Sequence, residues 1–546
     1  MRRLKGEEVH YLPGARGVAG LFLMALLAGC GGSGGDESTR TEISTNAISF
    51  SAPAPDAATP ATQVFTATFG DEIAHLAVVH SGAAISAVTS TMNGRTATIT
   101  VEPVAPNTVG PGTYIGAVAV TGYTCADATC GKLAAGATST VAVSYQVSPV
   151  VQFVTPYVET AGVADEVILR GVGFNRFLVE GVRFGDVAAT AITQVNASEI
   201  RATHPALPAG DYPVRLVSSN HQGVVPTTAT LRVRNPVVYA ATTLAYPTAA
   251  TEIRGLVYDA ERTSLLAVTD AGGGSLIRYP YTGGAWGAPT EVAAGLRDVA
   301  LSAAGTTLNG ITSTTYVPID PVALTIGTAI TAPSMTTDSF LKSITVGNDD
   351  IGLITTGIAG STPTTPYLYS PFTSALIAAT VAINNASQGM SANGATAYLI
   401  QGDPTTTTDL PVYEYTTNGN GIATATFSLH QNGIPPVLAR NETRLVMNGV
   451  RVYDQAETFL AVLPGTTGSV VLRPDGKRAY TYDRFAGGIL TFDTSVDPGE
   501  VFPALGPVTP ISGDPGQGVR MIISPDGGTL FIAGSNQIVV QPTPAL

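Results

Sequence analysis

A strand, a turn and a second strand are predicted by the stretch Val519-Arg520-Met521-Ile522-Ile523-Ser524-Pro525-Asp526-Gly527-Gly528-Thr529-Leu530-Phe531-Ile532-Ala533. Apolar β-forming residues flank a Ser-Pro-Asp-Gly turn, in which proline presets φ and glycine accepts a positive φ. The same unit occurs earlier, over residues 470–482, around the turn Arg473-Pro474-Asp475-Gly476. Two copies of one unit indicate a repeat architecture, so this stretch decides the fold.

Weaker copies of the unit recur through the C-terminal part of the chain, 34 to 51 residues apart. The residues that follow the first strand of each copy are Asp259, Ser302, Gly347, Ser391, Ala439, Arg473 and Ser524. Copies at this period predict a seven-bladed β-propeller over residues 236–546, with four strands in each blade. The last copy supplies three strands, so we expect Val237–Ala241 to provide the fourth strand and close the ring.

Composition agrees with an all-β chain. Charged residues make up 12% of the sequence, while 60 glycines and 37 prolines provide many turns between short strands. The two copies with a Pro-Asp-Gly turn resemble the YVTN-type and WD-type propeller repeats of bacterial surface proteins. The predicted fold is two immunoglobulin-like sandwiches followed by the propeller.

An export signal is predicted at the N-terminus. Basic residues precede an apolar run from Val18 to Ala28, which is too short to span a bilayer and suits a signal peptide over residues 1–29. The run ends in Leu27-Ala28-Gly29-Cys30, which resembles the lipobox of bacterial lipoproteins. That resemblance implies that Cys30 is lipidated, and the alternative is an ordinary secretory signal. Gly31 in place of an aspartate implies anchoring in the cell outer membrane, facing the periplasm or the cell surface.

Residues 30–42 form a flexible polar tether, and residues 43–148 show short alternating strands typical of an Ig-like sandwich. One strand, beginning Gly112-Thr113-Tyr114, resembles a strand of bacterial surface Ig-like modules. Cys125 and Cys130 flank a four-residue loop. In an exported protein such a pair is most simply a disulfide, and the alternative, a metal site, would need two more ligands.

Residues 150–234 resemble an IPT/TIG domain, an Ig-like fold of receptors and bacterial surface proteins. Five motifs of that family occur in order: Val154-Thr155-Pro156, then residues 165–174, 182–185, 200–205 and 210–217. In bacterial proteins the module usually serves as a spacer or platform. The resemblance therefore implies that His204 and His221 are surface residues and not ligands.

Several functions are disfavoured by the residue counts. A formal net charge of -13 with 27 Lys and Arg residues argues against binding nucleic acid. His430 is the one histidine of residues 236–546, which excludes a histidine cluster at the propeller axis. Calcium is an alternative at Asp349 with Asp350 and at Asp403 with Asp409, but without EF-hand spacing we expect solvated loops. No metal, cofactor or catalytic residue is predicted.

Cations recur at one position of the repeat: Arg254, Arg297, Lys342 and Arg520 stand four or five residues before their anchors. That position opens the innermost strand, so the four cations should converge at the channel mouth and attract an anionic ligand. The alternative is structural, since Arg297 adjoins Asp298 and inner-strand charges can pair between blades.

The sequence therefore favours a non-catalytic recognition head on a lipid anchor. Its expected partners are the membrane, through the anchor, and an anionic glycan, small molecule or envelope protein. One rival is a lactonase-like or quinoprotein-like enzyme that uses Asp298, Asp338 and Asp483, and another is a structural scaffold of an envelope complex. Clustered acidic groups in one central pocket would favour the enzyme, and a broad uncharged face would favour the scaffold.

Overall fold

The computed structural model describes residues 41–125, 133–175, 179–218, 223–358, 364–383, 385–402, 410–417, 421–429, 434–440, 442–464 and 469–545. The predicted signal peptide, most of the tether and Cys30 lie outside these residues, as do Cys130, His221, Asp403, Asp409 and His430. Within the described ranges, no helix is both long enough and apolar enough to cross a membrane.

The first module is a sandwich of two four-stranded sheets, ordered β1-β3-β6-β5 and β2-β8-β7-β4. Strands β2 and β6 alternate between buried and more exposed residues, because successive side chains point to opposite faces. The buried faces enclose one core that includes Phe50, Phe65 and Tyr145. The elements are β1 (Glu42–Ile43), β2 (Ala47–Ala52), β3 (Gln63–Thr68), β4 (His75–Gly82), β5 (Ile85–Asn93), β6 (Thr96–Pro103), α1 (Pro106–Val109), β7 (Gly112–Tyr123) and β8 (Leu133–Val147).

The second module is another sandwich, with sheets ordered β14-β15-β11-β9 and β10-β17-β16-β12-β13. Gly171 lies at a bulge where β11 pairs with β9, and a Cβ there would stand 1.8 Å from the carbonyl oxygen of Val150. The strands are β9 (Val150–Thr155), β10 (Val158–Thr160), β11 (Asp165–Val172), β12 (Gly181–Phe184), β13 (Val187–Ala188), β14 (Ala191–Gln194), β15 (Glu199–His204), β16 (Gly210–Ser218) and β17 (Gly223–Arg234).

The remaining described residues form seven antiparallel sheets, six of them built from strands consecutive in the chain. The first sheet comprises β19 (Ile253–Asp259), β20 (Ser264–Thr269), β21 (Ser275–Thr282), β22 (Ala285–Trp286) and β23 (Thr290–Ala293), with a 3-10 helix at Ala271–Gly273. The second comprises β24 (Asp298–Leu301), β25 (Leu308–Ile311), β26 (Thr315–Ile319) and β27 (Ile330–Thr331). The third comprises β28 (Ser339–Val346), β29 (Gly352–Ile358), β30 (Tyr367–Ser370) and β31 (Ala375–Ala378).

The fourth sheet comprises β32 (Ser387–Met390), β33 (Thr396–Ile400), β34 (Leu410–Thr416) and β35 (Gly421–Leu429). The fifth comprises β36 (Val437–Leu438), β37 (Arg444–Met447), β38 (Arg451–Asp454) and β39 (Phe459–Val462). The sixth comprises β40 (Val470–Leu472), β41 (Arg478–Asp483), β42 (Gly488–Asp493) and β43 (Thr509–Pro510). The seventh comprises β44 (Arg520–Ile523), β45 (Thr529–Ala533), β46 (Gln537–Pro542) and β18 (Thr242–Ala245).

These sheets form a closed ring, which we call the ring. The first strand of each sheet contacts the first strand of the next, from β19 through β24, β28, β32, β36 and β40 to β44, and β44 contacts β19 again. The first strands therefore surround a common axis, while later strands lie farther out. The Ser-Pro-Asp-Gly turn forms as predicted: the Gly527 amide donates to the Ser524 carbonyl at 2.8 Å, with Gly527 at φ +72°.

The prediction that Val237–Ala241 is the closing strand is wrong by a few residues. Thr242–Ala245 closes the seventh sheet by pairing with Gln537–Val540. Tyr239 is instead fully buried, with its ring 5.0 Å from that of Trp286 and 5.8 Å from that of Phe531. An aromatic side chain gains more by filling this core than by extending an edge strand, so pairing begins after it.

Candidate functional site

The four sequence-predicted cations lie at one end of the ring, which we call the cationic end. Arg254 is in β19, Lys342 is in β28 and Arg520 opens β44, while Arg297 immediately precedes β24. Each of these strands runs from this end toward the anchor turns. Neighbouring strands of the ring therefore present the four side chains near a common axis.

Two of these cations are bound within the ring. The Arg254 guanidinium donates to the Glu252 carboxylate at 3.1 Å and to the Gly273 carbonyl at 3.3 Å. The Lys342 ammonium donates to the Asn385 carbonyl at 2.8 Å and to the Ser387 hydroxyl at 3.0 Å. Lys342 thus joins the third sheet to the fourth through two neutral acceptors, and not through the charge pairing between blades that was the structural alternative.

The other two cations are not satisfied in this way. The Arg297 guanidinium carbon lies 4.1 Å from the ring centroid of Phe340, and its buried Nε has no hydrogen-bond partner in the described part of the chain. The Arg520 side chain makes no ion pair or hydrogen bond with the residues that the structure describes. Both guanidinium groups therefore keep donors available to a ligand.

Electrostatic effects show that the four cations are close enough to influence one another. Burial lowers the pKa of Lys342 to about 8, and the charges of Arg520 and Arg297 add to that effect. Burial likewise lowers the pKa of Arg297, with a further contribution from Arg254. Repulsion of this kind is relieved when an anion binds between the charges.

One carboxylate is buried at the cationic end. Asp298 is 6% exposed, and its two oxygens accept hydrogen bonds from the amides of Val299 at 2.9 Å and Ile344 at 3.1 Å. Burial raises the pKa of Asp298 to about 6, against the lowering influence of Arg520 and of these two amides. Asp298 thus connects the second and third sheets through the backbone.

The other two carboxylates proposed for an enzyme occupy different settings. Asp338 is exposed in the segment before β28. Asp483 accepts hydrogen bonds from the amides of Phe485 at 2.8 Å and Ala486 at 3.0 Å, which fixes a turn. Within the described ranges, no three His, Cys, Asp or Glu side chains are grouped so that they would hold a metal ion.

The opposite end of the ring is covered by the second module, and we call it the capped end. The Tyr157 hydroxyl donates to Asp259 of the first sheet at 3.3 Å, and a Cβ on Gly305 of the second sheet would stand 2.4 Å from the Tyr157 ring. Two residues further on, Glu159 forms an ion pair with Arg440 of the fifth sheet. In a ring of seven, sheets two and five lie on opposite sides, so β10 crosses the axis.

The ion pairs of the capped end are deeply buried. The Glu159 and Arg440 side chains are 1% and 8% exposed, and Arg440 also lies 3.3 Å from the Asp165 carboxylate. Arg170, 5% exposed, pairs with Glu199 at 2.9 Å and donates to Asn348 of the third sheet at 2.8 Å. Pairs this buried are costly to break, so the second module is firmly docked.

The prediction that His204 is a surface residue is wrong, because its side chain is 0% exposed. Its Nδ1 lies 2.8 Å from the Pro205 carbonyl, and its Nε2 lies 3.9 Å from the Glu159 carboxylate. Burial alone lowers the pKa of His204, but Glu159 and the Pro205 carbonyl outweigh burial and raise it. The side chain is buried within its own module, where its ring lies 5.9 Å from that of the core residue Phe184.

The solvated loop predicted for Asp349 and Asp350 is also wrong. Asp349 accepts hydrogen bonds from the Ile351 amide at 3.1 Å and the Tyr415 hydroxyl at 3.2 Å, and Asp350 accepts one from the Ala303 amide at 2.8 Å. Burial raises the pKa of both, to about 6 for Asp350. These carboxylates belong to the capped end and support its contacts.

Two cavities lie between the second module and the ring, on either side of this contact. One has a volume of about 200 Å³ and is lined in part by Glu159, Arg234 and Asp526. The other, of about 290 Å³, is lined in part by Arg170, Asp349 and Phe372. None of the four cations borders either cavity, so the capped end and the cationic end are separate sites.

Sequence reasoning missed the capped end, including Tyr157, Glu159, Arg170 and Arg440. One signal was available: Arg170 interrupts the apolar run Val167-Ile168-Leu169, and a charge inside a buried strand needs a partner. Two of the partners on the ring are far away in the chain: Arg170 and Asn348 are separated by 178 positions, and Glu159 and Arg440 by 281.

Residues 149–232 match the IPT/TIG domain family. This part of the chain is an IPT/TIG domain, as its motifs predicted. No curated protein matches the chain. Among solved structures, a chain described as Kuenenia stuttgartiensis Hydrazine Synthase is similar with a TM-score of 0.42 and 12% identity, covering 55% of this chain and 98% of that chain.

Proposed function

We propose that this chain is a lipid-anchored cell-envelope protein that binds an anionic partner, without catalysis, at the cationic end of a seven-bladed β-propeller. The seven sheets, the strands in chain order within them and the shared closing sheet support the propeller assignment. One observation carries the binding proposal: Arg297 and Arg520 keep unused donors at the end of the ring opposite the docked IPT/TIG domain.

Charge is what selects the partner in this proposal. The protein carries a formal net charge of -13, so four cations at one end stand out against an acidic background. An acidic glycan, a carboxylated small molecule or an acidic segment of an envelope protein would be attracted there, while a neutral partner would not.

A salt titration tests the binding proposal. The full chain is titrated with polygalacturonate as the acidic probe and with dextran as the neutral one. Binding of the acidic probe should weaken strongly as salt rises toward ~0.15 M, where screening acts over about 8 Å. Changing Arg254, Arg297 and Lys342 together to Gln should abolish it. Equal binding of both polymers, or binding that is insensitive to salt, would contradict the proposal.

The anchor is tested separately. Replacing Cys30 by Ser should move the protein from the membrane fraction to the soluble fraction, because a lipobox cysteine is the acceptor of lipid. Unchanged membrane association would refute lipidation at Cys30. A pairing of Cys125 with Cys130 should appear as a loss of two hydrogens in the intact mass that reduction restores.

An enzyme on the same ring is the second candidate, because a carboxyl group with a pKa near neutrality suits acid–base chemistry. Asp298 has a pKa of about 6, but its two oxygens already accept backbone hydrogen bonds. Exposed Asp338 and the turn-fixing Asp483 are not tied to it by any hydrogen bond. These settings favour binding over catalysis.

A further inference from the structure

The four cations at the cationic end are not equivalent, and the difference identifies how a ligand would be held. Arg254 and Lys342 each donate hydrogen bonds to two acceptors of the ring itself. They contribute positive potential, but a ligand would have to compete for their hydrogen bonds. We therefore expect a ligand to contact the two cations with unused donors, Arg297 and Arg520.

Within the described ranges, the Arg297 side chain is oriented by a stack on an aromatic ring and makes no hydrogen bond. Its guanidinium lies over the Phe340 ring of the third sheet at 4.1 Å, which orients the plane of the fork, and its terminal N–H groups make no hydrogen bond with the described residues. A planar fork of this kind matches an oxyanion with two parallel hydrogen bonds, which an ammonium group does not.

Arg520 opens the first strand of the seventh sheet and makes no hydrogen bond or ion pair with the described residues. Its charge acts on both Asp298 and Lys342, so it faces the same region of the axis as the others. The first strands of the first and seventh sheets are in contact, and so are those of the first and second. Arg297 and Arg520 thus flank the first sheet.

The capped end limits what can enter. β10 of the IPT/TIG domain crosses the axis, with Tyr157 held by Asp259 and Glu159 by Arg440. A polymer therefore cannot thread through the ring and must present an end or a side group to the cationic end. A small molecule meets the same requirement.

We infer that Arg297 and Arg520 together grip one oxyanion group, a carboxylate or a phosphate, of a small molecule or of a polymer end that enters from the cationic end. This inference rests on the proposed binding function and adds the ligand group and the residues that hold it. Arg254 and Lys342 act as positioning charges and do not contact the ligand.

Three sugars that differ in one substituent test it: D-glucuronate, glucose 6-phosphate and glucose, each titrated calorimetrically into the full chain at low salt. The two anions distinguish carboxylate from phosphate, and glucose serves as the neutral control. Arg297→Gln and Arg520→Gln should each weaken anion binding about tenfold, the loss expected for one charge-assisted interaction of ~1.4 kcal/mol. Arg254→Gln, the matched control, should change it less than about threefold.

Arg297→Lys provides a second variant in case the loss of charge disturbs the ring. It keeps the charge but not the fork, and should still lose several-fold in affinity. If wild-type protein binds neither anion, the inference is wrong. If wild-type protein also fails to bind polygalacturonate, the proposed function is wrong as well. If the anions bind but Arg254→Gln weakens binding as much as Arg297→Gln, only a diffuse potential acts and the two-arginine grip is wrong.

Discussion

The two ends of the ring differ in how their charges are matched. At the capped end, Arg170 and Arg440 are each paired with carboxylates and buried. At the cationic end, Arg297 and Arg520 have no carboxylate partner among the described residues. Burying an unmatched charge is costly, so matched charges indicate a permanent contact. The unmatched charges at the half-buried cationic end are the reason that we propose it as the binding surface.

The largest effect is expected from breaking a matched pair at the capped end. Arg440→Ala leaves Glu159 buried without its partner and should lower the stability of the docked state by about 3 kcal/mol. The melting temperature and the hydrogen exchange of the β10 amides would report the loss. Arg254→Ala is the matched control, since its partner Glu252 is 58% exposed, and it should cost about 0.5 kcal/mol. A comparable loss of stability in Arg440→Ala and Arg254→Ala would show that the ion pairs at the two ends do not differ in strength.

A steric change at the capped end should have the next largest effect. In Gly305→Ala the new Cβ would lie 2.4 Å from the Tyr157 ring, so the domain must shift, at about 1–3 kcal/mol. Gly283→Ala is the control for backbone strain, because both glycines have a positive φ, +61° at Gly283 and +66° at Gly305. Gly283 has nothing within 4 Å of a new Cβ. Equal melting temperatures for the two variants would mean that Tyr157 does not hold the module on the ring.

Within the cationic end, Lys342 and Arg520 should differ. Lys342→Gln removes a donor to Asn385 and Ser387 and should lower the free energy of unfolding by about 1–2 kcal/mol. Arg520→Gln breaks no hydrogen bond or ion pair that the described residues form and should change the free energy of unfolding by less than ~0.5 kcal/mol. Thermal unfolding of both variants decides the matter. A larger loss for Arg520→Gln would place that side chain in the structure of the ring and not in its binding surface.

The smallest effect is a pH dependence at the capped end. Because the pKa of His204 is raised on folding, its stabilising contribution is complete below the unfolded value of about 6.5 and is lost as pH rises through the folded value. The melting temperature should therefore fall more steeply above pH ~6.5 in wild-type protein than in His204→Gln. Asp298 and Lys342 titrate alike in both proteins, so the difference isolates His204. Parallel curves would show that Glu159 does not act on the histidine.

Local sequence determined most of the strands and turns. The Ser-Pro-Asp-Gly turn needs a positive φ at Gly527, and the apolar residues on both sides alternate or run as buried strands. The same local rules gave the IPT/TIG motifs, and the spacing of the repeats placed Arg254, Arg297, Lys342 and Arg520 on the strands around the axis. These are short-range features, set within a few residues of each position.

Only the tertiary structure decided which charges were matched. The sequence around Arg440 does not predict its pairing with Glu159, which is 281 positions away. A pattern within one strand carries no information about a partner on another module. Contacts between distant segments also explain the errors at His204, which lies beside Glu159, at Asp349, which accepts a hydrogen bond from Tyr415, and at the closing strand. Whether a polar residue is solvated depends on which distant segment packs against it, and that packing is a property of the assembled fold. The periodicity of the sequence thus determined the strands and turns. Packing of the IPT/TIG domain across the axis of the ring determined which end of the ring is covered and which end is not.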